Sequence, residues 1–196
     1  MKRVVLWIAF LIAPALAAQP LKVVKVGAPK INCLFNVTCK VTVTDLSAPI
    51  WSSGFLQSRH YRGSSGAPAA TRYAYEYRID LRNVVGITVI PYITSLTVNI
   101  GPTMKFDFDG DGSLDDVFVV TTGGLGNVGL LSAVRSGNNI TFTFKTPVAG
   151  GSSPGHGDSS FFFGVVSKYA KHNVTASAPN NLGAALSLNA WAPNHP

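Results

Sequence analysis

Apolar and polar residues alternate with a period of two along most of this chain, and that alternation is the pattern of strands. In 73–82, Tyr73, Tyr75, Tyr77, Ile79 and Leu81 fall on one side, while Ala74, Glu76, Arg78, Asp80 and Arg82 fall on the other. The segment therefore predicts a half-buried strand with a charged face turned to solvent. Similar short runs occupy 21–26, 39–44, 84–90, 93–100, 103–108, 116–121, 139–146, 160–167, 173–178 and 184–190. Gly101-Pro102, Gly123-Gly124, Gly150-Gly151 and Asn180-Asn181 separate several of them, as turn residues do. No stretch carries a sustained helical stripe. About ten short strands with turn-rich links predict an all-β fold, an antiparallel β-sandwich or jelly roll.

Two stretches predict long loops: 52–71, rich in Ser, Gly, Ala and Arg, and 149–159, which reads AGGSSPGHGDS. The run Phe161-Phe162-Phe163 predicts side chains that alternate between the core and a second packed surface. No repeat recurs at a period of 20 to 50 residues, which argues against a propeller or solenoid.

The first residues change the picture from fold to compartment. Lys2 and Arg3 precede an apolar run over 4–12, and Ala15-Leu16-Ala17 follows as a small-residue cleavage signal. The run is short of the roughly 20 residues of a membrane-spanning helix. Residues 1–18 thus predict a signal peptide, with 19–196 a single β-sandwich domain, exported to the periplasm or secreted without a transmembrane anchor. Cys33 and Cys39, the two cysteines of the chain, then predict a disulfide. Their closeness in sequence requires the intervening residues to fold back tightly, with Asn36 the natural turn residue.

Charge adds one more fact. The chain carries 16 Lys and Arg against 9 Asp and Glu. Five of those acids, Asp107, Asp109, Asp111, Asp115 and Asp116, lie within ten residues. A basic body thus bears a single acidic point. The segment Asp107-Phe108-Asp109-Gly110-Asp111-Gly112-Ser113-Leu114-Asp115 spells D-x-D-x-D-G-x-x-D. A hard cation such as Ca²⁺ takes six to eight oxygens, and alternate residues of a curled loop can aim theirs at one centre. The expected ligands are the carboxylates of Asp107, Asp109, Asp111 and Asp115 with the backbone carbonyl of Ser113, in a calcium-type hairpin loop over 107–116.

This motif resembles the calcium loops of FG-GAP repeats, dockerins and thrombospondin type 3 repeats, and the first nine positions of an EF-hand loop. It departs from the EF-hand at the twelfth position, where Phe118 replaces a bidentate Glu. The strand-like flanks are closer to the FG-GAP arrangement, and the resemblance implies calcium.

Other signals carry less. Gly151-Ser152-Ser153-Pro154-Gly155 matches the G-x-S-x-G of an esterase elbow, but Pro154 has no N–H to offer an oxyanion, and no helix pattern follows. Trp51, which borders the first loop-like stretch, and Arg59, His60, Arg62 and His156 within the two are candidate ligand-binding residues. Trp51, Phe55, Tyr61 and Trp191 are candidates for an aromatic sugar platform. The basic stretch 58–72 lacks any nucleic-acid motif, which argues against that partner. The sequence therefore predicts a secreted, calcium-binding, non-enzymatic module that meets a cell-surface or extracellular polymer such as a glycan. The alternatives are a carbohydrate-binding domain and a metal-dependent hydrolase that sets Glu76 or Asp80 against Asp116.

Overall fold

A computed structural model describes residues 17–153 and 155–194; most of the expected signal peptide lies outside them. In chain order the elements are β1 (Gln19–Pro20), β2 (Val23–Gly27), α1 (Ala28–Phe35), β3 (Thr44–Ile50), β4 (Gly54–Arg62), β5 (Tyr73–Asp80), β6 (Val85–Gly86), β7 (Tyr92–Asn99), β8 (Val117–Thr122), β9 (Leu130–Ser136), β10 (Asn139–Ala149), β11 (Gly151–Ser152), β12 (Phe162–Ser167), β13 (Lys171–Ala178) and β14 (Leu186–Pro193).

Two six-stranded sheets, β1-β9-β10-β7-β13-β14 and β2-β8-β12-β5-β4-β3, form the predicted all-β sandwich. Pairing within them is antiparallel except between β2 and β8, which run parallel. The main core lies between the sheets and is built from residues of one parity on most strands; β7 and β9, beside register shifts, contribute both parities. Tyr75, Tyr77 and Ile79 of β5 meet Phe163 and Val165 of β12 and Phe142 of β10 there, with the Phe142 and Phe163 rings 4.8 Å apart.

The opposite parity of the second sheet is covered as well. Ala74, Phe118, Val120, Phe162 and Val166 pack beneath α1, whose Ile31, Leu34 and Phe35 are buried. Phe162 and Phe163 thus serve the two packed surfaces expected of that run. The charged face of β5 does not meet solvent: Glu76, Arg78 and Asp80 are only 6%, 3% and 4% exposed. This overturns the half-buried reading. A third layer lies over part of that face, and each charge has a partner beside it.

That third layer begins with α1, which the sequence pattern does not reveal. Pro29 stands in its first turn, where a missing N–H costs nothing. Its eight residues offer one turn of an i, i+3, i+4 stripe, too little to register as a period. Asn36 ends the helix in an extended conformation, and its Oδ1 accepts the N–H of Thr38 at 2.9 Å. The expected disulfide joins Cys33 to Cys39 across this turn, with Cα atoms 4.0 Å apart.

Other departures are local. The expected loop 52–71 contains the whole of β4, while the expected strand 39–44 is largely irregular and 84–90 keeps only β6. Segment 103–108 contributes two isolated bridges, Met104 to Val166 and Phe106 to Asp115.

Candidate functional site

The acidic motif folds into a closed loop between the start of β8 and the layer under α1. Phe106 and Asp115 exchange backbone hydrogen bonds of 2.9 and 3.0 Å across its base. Phe108 pins its near side, with its ring fully buried 4.9 Å from that of Phe118. Gly110 and Gly112 take φ of +77° and +84°, a region other side chains enter only with strain.

These constraints turn three carboxylates toward one another: Asp107, Asp109 and Asp111 each place an oxygen within 4.8 Å of the other two. Backbone amides fix their directions. Asp107 Oδ1 accepts the N–H of Gly110 at 2.7 Å, and its Oδ2 accepts that of Gly112 at 3.0 Å. Asp109 Oδ1 accepts from Asp111, and Asp111 Oδ1 from Ser113. Among the described residues none of the three forms an ion pair with Lys or Arg. Like charges about 4 Å apart repel by roughly 1 kcal/mol even in water, so the cluster favours a cation. Hard carboxylate oxygens suit Ca²⁺ or Mg²⁺ and do not suit soft metals.

Of the other two expected ligands, Asp115 is engaged elsewhere. Asp115 is buried, with Oδ1 2.9 Å from Lys22 Nζ and no hydrogen-bond donor at Oδ2 among the described residues. Ser113 accepts a hydrogen bond from the same ammonium at its Oγ, also 2.9 Å. The hydrogen bond to Asp115 raises the Lys22 pKa, with small additions from Asp111 and Asp109. Asp116 accepts the Lys22 backbone N–H at 2.9 Å and faces Lys105 at 3.5 Å. Lys22 thus clamps the end of the loop from 91 residues away in sequence, and no local pattern could have pointed to it.

The five candidate ligand-binding residues do not form one group. Arg59 and His60 are neighbours on β4 and face opposite sides of the sheet. The Arg59 guanidinium lies 3.9 Å over the Phe162 ring and bonds Asp45 through Nε at 3.0 Å. The His60 ring stacks on Tyr73 at 5.3 Å, with neither nitrogen hydrogen-bonded among the described residues. Burial, helped by the charge of Lys171, lowers the pKa of His60 to about 4. Arg62 sits 5.6 Å over Tyr73, Trp51 is half-buried at the β3–β4 turn, and His156 is exposed.

The aromatic platform divides in the same way. Trp51 and Trp191 pack against the core between the sheets, and Tyr61 belongs to the layer under α1. In place of an esterase elbow, Gly151 and Ser152 form β11, paired parallel to β6.

Glu76 and Asp80 do not join Asp116. Asp80 is held by Arg78 at 3.0 Å and by Arg82. Glu76 accepts the Tyr61 hydroxyl at 2.7 Å in a wholly buried hydrogen bond. Burial raises the Glu76 pKa, against the lowering effects of the Tyr61 hydrogen bond and Arg59. The pair is a chemical feature that the strand alternation did not disclose, because it reads Glu76 as solvated. Among the described residues no helix is long and apolar enough to cross a membrane. Comparison of the chain with models of protein families, with curated proteins and with solved structures finds no match.

Proposed function

We propose that this chain is an exported β-sandwich module that binds calcium at Asp107, Asp109 and Asp111, and that it acts by interaction with a cell-surface or extracellular polymer and not by catalysis. The observation that carries this reading is the convergence of three unpaired carboxylates in a loop whose backbone fixes their direction. The Ser113 carbonyl and water would complete the shell. A Lys22-bound Asp115 would stand behind it as a further acidic group. The signal-like start of the sequence and the disulfide support export.

Calcium in this position braces a hairpin. Extracellular calcium modules commonly bind at about 10⁻⁴ to 10⁻³ M. At ten times the dissociation constant, binding stabilises the fold by about 1.4 kcal/mol, or roughly 3 to 6 °C in Tm for a chain of this size. Thermal melts of the full chain in millimolar Ca²⁺ and in chelator should differ by that amount, and Asp109→Ala should abolish the difference. Melting curves that coincide, together with no heat on calorimetric titration of Ca²⁺, would remove the reading.

A further inference from the structure

The outer face of the second sheet holds a cavity of about 570 Å³ that does not use the acidic loop. Its floor is Phe162 and Val120, its walls are Ile31 of α1 with Val41 and Val43, and Leu125 stands on the loop after β8. The size is within the usual range for small-molecule sites, roughly 300 to 1,000 Å³, and so is the mostly apolar lining with a few convergent polar groups. The polar groups are Glu76, Tyr61 and Arg59 on the floor, Asn32 on the helix and Lys40 at the rim.

Strand register places the charged groups. Gly164, Glu76, Arg59 and Asp45 are successive partners across β12, β5, β4 and β3, so acid, base and acid lie in one row. Asp45 takes Arg59 Nε, and Tyr61 takes Glu76 Oε1. The terminal nitrogens of Arg59 and Glu76 Oε2 carry no hydrogen bond to any described residue.

We infer that this cavity binds a neutral, hydroxyl-bearing amphipathic small molecule, whose apolar body fills the space between Phe162, Ile31 and Val43 and whose hydroxyl donates to Glu76 and accepts from Arg59. Charge decides the ligand class. A carboxylate would meet Glu76, and a cation would meet Arg59 with Lys40 at the rim. A hydroxyl satisfies both an acceptor and a donor with one atom. The disulfide shapes the site, because Cys39 lies in its wall and Cys33 on the helix.

The test uses three bicyclic probes that share the naphthalene body and differ in the charge of a small polar group: 2-naphthol, 2-naphthoate and 2-naphthylmethylammonium. Equilibrium dialysis against the full chain should give saturable one-to-one binding of 2-naphthol, with the two charged probes at least tenfold weaker. Val43→Trp, which fills the cavity, should reduce 2-naphthol binding tenfold or more. Glu76→Gln should weaken it about three- to tenfold. Leu125→Trp, at an exposed position on the rim, repeats the blocking test if Val43→Trp does not fold. Absence of saturable 2-naphthol binding, equal binding of the charged probes, or binding unchanged in a folded blocking variant would overturn the inference. Calcium binding by the acidic loop bears on none of these outcomes.

Discussion

Tyr61 donates its hydroxyl hydrogen to Glu76 Oε1 at 2.7 Å, joining β4 to β5 on a face where both side chains are almost completely shielded from water. A carboxylate taken out of water without a full ion pair favours its neutral form. Burial is the largest influence on Glu76 and raises its pKa, although Tyr61 and Arg59 oppose it.

The consequence is a stability that declines as the medium becomes less acid. Folded Glu76 keeps its proton at pH values where the unfolded chain, with a carboxyl near 4.5, has lost it. Its contribution is therefore fully present below 4.5 and is lost as pH rises through the raised folded value. Glu76→Gln removes the titration and retains an acceptor for Tyr61. Urea denaturation at several pH values from 4 upward should show the wild type losing stability relative to the variant with rising pH. A constant difference across the range would contradict the assignment.

How far the sequence disclosed this arrangement depended on whether a segment had one wet face. β7, β10, β13 and β14 expose alternate residues over much of their length, so these four strands of the sheet opposite α1 follow the alternation, while β9 beside them lies outside the expected runs. β4 and β5 are covered on both faces, and on β4 the residues turned inward include Ser58 and His60. Period two then carries no polarity contrast, which is why 52–71 read as loop and Glu76 read as solvated. The acidic cluster was legible because its three carboxylates come from alternate residues of one short segment and glycines mark its turns. Lys22 and the Tyr61–Glu76 bond depend on contacts across strands, which local spacing does not record.

His60 gives the opposite pH response. Its ring is stacked on Tyr73 and inclined to Tyr75 at 5.4 Å, while Lys171 adds positive charge nearby. The folded pKa is lowered from 6.5 to about 4, first by burial and then by Lys171. Between those values the unfolded chain binds a proton that the folded chain refuses. The contribution to stability is thus present above 6.5 and is lost as pH falls toward 4. His60→Phe keeps an aromatic ring in the stack and cannot titrate. Its Tm should fall less than that of the wild type between pH 7 and 4.5, and NMR titration of the His60 ring protons should place the folded midpoint well below 6. A midpoint near 6.5 would show that the ring is hydrated and would refute this account.

Asp80 separates the energetic weight of a buried partner from that of an exposed one. It contacts two arginines: Arg78, whose side chain is 4% exposed, and Arg82, whose side chain is 50% exposed. Burial acts to raise its pKa, but the hydrogen bonds from Arg82 and the charge of Arg78 bring it below the ordinary carboxylate value. Arg78 also donates to Gln57 at 3.0 Å and to Ser159 at 3.3 Å, and it lies 5.1 Å over Phe162. Asp80→Asn therefore leaves a guanidinium buried without its counter-charge, a change that typically costs about 3 to 5 kcal/mol. Arg82→Met leaves the buried Arg78–Asp80 pair intact and removes a contact on the solvent side, for which about 1 kcal/mol or less is expected. Chemical denaturation of the two variants at neutral pH should show this order. Acidification should also narrow the gap between wild type and Asp80→Asn, because a lowered folded pKa means that the stabilisation by Asp80 is present above the ordinary value of 3.8 and is lost as pH falls through the folded one. Equal losses in the two variants would mean that Arg82, and not the buried Arg78, is the partner on which the fold depends.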